Sequence, residues 1–92
     1  MTDRPNDPGR TESAMFLKNL AALRKQHNLT QKQMAQILGI SITIWCMIER
    51  GIMPPKLSAA VVYRAADAFG IPAARLFSEM TINLLLIFLV VL

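Results

Sequence analysis

A chain of 92 residues holds one small domain and is too short for a two-domain enzyme. A single cysteine excludes an internal disulfide, and one histidine with six carboxylates leaves little for a metal cage or a catalytic cluster; neither enzymatic activity nor a cofactor is expected. Residues 1–13 carry net charge −1 and residues 14–79 net +5, so the body is basic and favours a polyanionic partner, either nucleic acid or an anionic membrane surface.

Residues 1–13 contain two prolines, a glycine and no apolar residue after Met1. Such a segment cannot bury enough surface to offset its ordering entropy, so it reads as a disordered arm. No apolar run follows its positive residues, which argues against a secretory signal. From Ala14 the pattern turns helical. Phe16, Leu20 and Leu23 recur at i, i+4 and i+7. That helix should stop near His27, a helix-end residue favourable to the dipole, with Asn28 in the left-handed cap conformation.

Thr30-Gln31-Lys32-Gln33 is a capping-box pattern, in which the threonine hydroxyl and the glutamine side chain satisfy each other's backbone donors. It starts a second helix at Gln31 that turns Met34, Ala35 and Leu38 inward. Gly39-Ile40-Ser41 then leaves only three residues before a third helix over residues 42–50. So short a connection, with glycine free to take positive φ, sets two helices at a steep angle. Pro54-Pro55 enforces an extended link. Ser58 caps a fourth helix with the stripe Val61, Val62, Ala65 and Phe69, ended by Gly70, and Pro72 can open a short fifth helix to Glu79. The expected fold is all-α and compact, with five helices in residues 14–79, a disordered arm at 1–13 and an apolar tail at 80–92.

Leu23-Arg24, Leu29-Thr30-Gln31, Met34-Ala35, Leu38-Gly39-Ile40-Ser41, Ile48-Glu49-Arg50-Gly51, Ala66 and Phe69-Gly70-Ile71 together resemble the phage-repressor/Cro-type helix-turn-helix domain. This lambda-repressor-like fold is also called the xenobiotic-response-element family, and the likeness covers about residues 16–77. It implies a sequence-specific transcriptional regulator of double-stranded DNA acting as a homodimer, and the single cysteine fits a reducing cytoplasmic setting. The second helix would cross the phosphate backbone while the third enters the major groove. The DNA-facing residues it implies are Thr30, Gln31, Ser41, Ile42, Thr43, Ile44, Met47, Arg50 and Lys56. Gln31 would contact a phosphate, residues 42, 43 and 47 would read bases, and Arg24 with Glu49 would form a structural ion pair.

The reading helix departs from the family pattern. Hydrogen-bonded base readout uses donors and acceptors, whereas Ile42, Ile44 and Met47 offer only apolar contact, for example to thymine methyls. Ile52 and Met53 extend that apolar character into the following loop. This favours shape-based or weak DNA recognition, or an alternative use of Ile42, Ile44, Met47, Ile52 and Met53 as a protein-binding face. Trp45 and Ile48 fall on the inward side as core, and Cys46 reads as a small packing residue.

The tail is the second anomaly. Of the last 13 residues 11 are apolar, and the run from Ile82 to Leu92 has no charge and no polar face. As a helix it would extend roughly 16 Å, about half of a bilayer's hydrocarbon core, so it does not span a membrane alone. Four explanations compete: a dimerisation segment, a helix or strand folded onto its own domain, a membrane-associating end, and a truncated or frameshifted coding end.

Overall fold

The computed structural model describes residues 8–78, with side chains from residue 12. The tail, the first seven residues and every role expected of them lie outside the described residues. Four α-helices follow in order: α1 Pro8–Gln26, α2 Gln31–Leu38, α3 Ile42–Glu49 and α4 Ala59–Phe69. A 3-10 helix, Ala73–Phe77, follows α4, and no strand occurs among the described residues.

The expected count of five α-helices is corrected by that last element. Pro72 stands at its start in extended conformation (φ −61°, ψ 140°) without a side-chain capping bond. The turn closes by i→i+3 bonds, from Arg75 N–H to Pro72 O at 2.9 Å and from Ser78 N–H to Arg75 O at 3.2 Å. Asn19 of α1 takes over the end of the segment, donating to Leu76 O at 2.7 Å and to Ser78 O at 2.6 Å. Carbonyls that a continuing helix would bond internally are thus satisfied from outside.

Helix α1 begins at Pro8 rather than at Ala14, so the chain is already helical through residues expected to be irregular. Periodicity could not mark this extension, since residues 8–13 bring no apolar side chain to bury. A proline is compatible with a first helical turn because its missing N–H is one that the helix leaves unbonded there. The other end follows the sequence: α1 closes at Gln26 and Asn28 takes φ 54°. His27 does more than sit beside the helix dipole, since its ring packs on Phe69 with centroids 4.8 Å apart.

The core draws on every element. Phe16, Leu17, Leu20 and Leu23 of α1 meet Met34, Ala35 and Leu38 of α2, Trp45 and Ile48 of α3, Val61 and Ala65 of α4, and Leu76. Leu17 widens the stripe beyond the i, i+4, i+7 pattern because α1 packs against both α3 and the 3-10 helix. Phe16 also stacks on Phe77, with ring centroids 4.9 Å apart and planes 12° from parallel. Val62 and Phe69 are half-buried at the rim, as amphipathic edge positions should be.

Candidate nucleic-acid interface

The angle between α2 and α3 is fixed by three local devices. At the start of α2, Gln33 N–H donates to Thr30 Oγ1 at 3.0 Å and Thr30 N–H donates to Gln33 Oε1 at 2.8 Å, a complete capping box. At its end Gly39 adopts φ 70°, which a side chain would strain, and its N–H bonds back to Ala35 O and Gln36 O. Two residues later Ser41 caps α3, its Oγ accepting from Ile44 N–H at 3.1 Å.

A fourth device crosses from α4. Arg64 Nη1 donates to Leu38 O at 3.2 Å, placing a cation against the C-terminal carbonyls of α2, where the helix dipole favours it. A Cβ added to Gly39 would lie 1.5 Å from that same Nη1, so glycine also supplies the room for this contact. Arg64 was not among the residues expected to matter, and its place on α4 beside the buried Ala65 gives no local cue to its long-range role.

Around this frame, Thr30, Gln31, Ser41, Ile42, Thr43, Arg50 and Lys56 are exposed, whereas Ile44 and Met47 are half-buried. Ile44 is packed against the core, which leaves it less free for an outside ligand than Ile42, 46% exposed. Arg50 is the C-terminal cap of α3 rather than its last helical residue, its N–H bonding to Cys46 O and Met47 O. Ile52 and Met53 in the following loop are also open to solvent, at 46% and 40%.

Charge is concentrated where three helices meet. Arg24 Nε of α1 donates to Glu49 Oε2 of α3 at 2.5 Å, and Arg24 Nη1 donates to Leu29 O at 2.9 Å. Gln31 Nε2 of α2 donates to the other carboxylate oxygen, Glu49 Oε1, at 2.6 Å. The family resemblance implies the Arg24–Glu49 pair but gives Gln31 an outward role alone. Nothing in the local pattern marks residues 31 and 49 as neighbours.

Burial works to raise the pKa of Glu49, but the hydrogen bonds from Gln31 and Arg24, the Arg24 charge and the pull of the Trp45 indole outweigh it and hold the carboxyl below its ordinary 4.5. The Trp45 N–H is buried and finds no hydrogen-bond partner among the described residues, so the hydrogen bonds from Gln31 and Arg24 carry the downward shift. A depressed folded-state pKa stabilises the protein above the unfolded value and loses that effect as pH falls through the folded one. Urea unfolding should therefore show wild type losing more stability than Glu49→Gln between about pH 6 and about pH 3. Equal losses would mean that the Glu49 charge contributes nothing to folding.

These features define a helix-turn-helix domain: α2, a three-residue connection and a capped α3, supported by α1 and α4. The chain belongs to the helix-turn-helix domain family, whose model matches residues 18–80. It is 40% identical over 65 residues to an uncharacterized HTH-type transcriptional regulator, YazB, of Bacillus subtilis (strain 168), a match covering 71% of this chain and 91% of that one. It is also 30% identical over 70 residues to the cryptic phage CTXphi transcriptional repressor RstR of Vibrio cholerae. That match takes in 76% of this chain and only 61% of the repressor. No solved structure gives a significant match. Among the described residues, no helix is long and apolar enough to cross a membrane, and no group of three His, Cys, Asp or Glu could hold a metal ion.

Proposed function

We propose that the chain is a sequence-specific DNA-binding transcriptional regulator that inserts α3 into the major groove and works as a homodimer. The observation that carries this reading is the rigidly capped α2–α3 unit, with Ile42 and Thr43 exposed on the first turn of α3 and Gln31 exposed at the N-terminus of α2. A helix N-terminus favours an anion, and Arg50 and Lys56 add cations near the end of α3 and in the loop beyond it. The names of both relatives support the same use.

In this reading Thr30, Gln31, Ser41, Arg50 and Lys56 fix the protein on phosphates, while Thr43 with Ile42, Ile44 and Met47 contacts base edges. Lys56→Ala should weaken binding to all duplexes about equally and reduce the salt slope by roughly one unit. Unchanged affinity and slope would remove Lys56 from the interface. Thr43→Ala should instead alter preference among sequences, and a uniform loss would contradict its role as a reader.

The homodimer is assigned to residues 82–92. An uncharged apolar run needs cover, because burying one Leu, Ile, Val or Phe side chain is worth about 1.5–3 kcal/mol before ordering costs. A two-fold partner supplies that cover reciprocally, and also the paired geometry that half-site recognition requires. Deleting residues 82–92 should yield a monomer in sedimentation with helicity retained and specific DNA binding weakened. A truncated chain that still sediments as a dimer would overturn the assignment.

One observation favours a second reading. Ile42, Ile52 and Met53 are large apolar side chains at 40% exposure or more on or just after α3, as a protein-binding face would be. Failure to bind any duplex even at low salt would favour that use over DNA.

A further inference from the structure

We propose that Glu49 is the positioning residue for Gln31: its carboxylate holds the Gln31 amide in place to meet a phosphate oxygen. The inference rests on the DNA-binding reading above and adds a residue that would touch no DNA itself. Its basis is the division of labour between the two carboxylate oxygens. Oε2 accepts from Arg24 Nε at 2.5 Å, and Oε1 accepts from Gln31 Nε2 at 2.6 Å.

Arg24 is itself anchored, since its Nη1 donates to Leu29 O in the link between α1 and α2. The carboxylate is therefore fixed by α1, and its second oxygen becomes a fixed acceptor for a side chain on α2. Gln31 is otherwise exposed, and a free glutamine side chain loses rotamer entropy when a ligand immobilises it. Holding it before the ligand arrives reduces that cost.

The chemistry leaves the amide competent. Nε2 carries two hydrogens, of which Glu49 takes one, so the second can donate to a phosphate oxygen. Arg24 partly neutralises the carboxylate, which limits its repulsion of the anion. Lys18 and Lys25 of α1 and Arg50 line the cleft that Glu49 also lines. All three are cations, so they add to Arg24 in offsetting the carboxylate's repulsion of an anion.

The test is a double-mutant cycle on a random-sequence duplex at low salt, using the full chain. Gln31→Ala and Glu49→Gln should each weaken binding about tenfold, and the double variant should be no weaker than either single one. A role for Glu49 in folding alone gives independent effects, so a roughly hundredfold loss in the double variant would overturn the proposal. A wild type that binds no duplex overturns the DNA-binding reading itself and this inference with it. A cycle that is additive on a duplex-binding protein sinks only the inference.

If Glu49→Gln does not fold, the wild type supplies the second measurement. In proton–nitrogen spectra the Gln31 Nε2 protons should shift as Glu49 titrates and shift again when the duplex is added. Protons that respond to neither, or to the duplex alone, would show that Glu49 does not hold the amide and would overturn the proposal.

Discussion

Trp45→Ala should be the most destabilising single truncation of the core, lowering stability by about 3–5 kcal/mol. Trp45 is fully buried and contributes the largest side chain of the core, on the helix proposed to meet DNA. Its removal leaves a cavity in a core whose other large side chains are already fully buried, and a close-packed interior relaxes only in part. Against a total stability of roughly 5–15 kcal/mol the loss is severe. For a domain of this size about 3 kcal/mol corresponds to a fall in Tm of at least about 12 °C. A calorimetric shift of less than about 4 °C would mean that Trp45 is not central to the core.

Asn19→Asp should have a comparable effect for a different reason. Asn19 is only 3% exposed and aims its amide N–H donors at Leu76 O and Ser78 O. A carboxylate there would confront two carbonyl oxygens with a buried, unpaired charge, at a cost of about 3–5 kcal/mol. Asn19→Ala removes the donors without adding charge and should cost less, about 1–3 kcal/mol. The aspartate variant should recover in part when acid protonates it. Equal stability of Asn19→Asp and wild type at neutral pH would show that this amide does not anchor the 3-10 helix.

The α2–turn–α3 unit was legible because its determinants are local. Thr30 and Gln33 are three residues apart, as are Ser41 and Ile44, and Gly39 stands between the helices it separates. Short-range capping chemistry has few solutions, and the sequence pattern names them. What escaped was held by distant partners. Asn19 reaches across 57 and 59 residues to its carbonyls, Arg64 across 26 to Leu38, and Gln31 across 18 to Glu49. No periodicity carries such pairings. The 3-10 helix belongs with them, because Pro72 permits a helix without deciding its type and Asn19 then takes the carbonyls. The first turns of α1 escaped for the opposite reason: they are helical without an apolar stripe.

The candidate interface divides in the same way. Exposure of Gln31, Thr43, Arg50 and Lys56 follows from their polar character, but the half-burial of Ile44 and Met47 depends on how α3 rests on the core. If α3 meets DNA as proposed, Ile44 and Met47 are less free to contact bases than Ile42. Recognition by this helix should lean on groove shape and thymine methyls more than on hydrogen bonds to base edges.

The measurement that bears most directly on DNA recognition is a titration of the full chain against two duplexes over a range of salt concentrations. One duplex carries the DNA upstream of the chain's own gene and the other a shuffled sequence of the same base composition. A sequence-specific regulator should prefer the first, and the logarithm of its binding constant should fall linearly with the logarithm of salt, by about 0.9 for each phosphate engaged. Equal affinity for both duplexes, or binding that salt leaves unchanged, would contradict sequence-specific regulation by this helix-turn-helix.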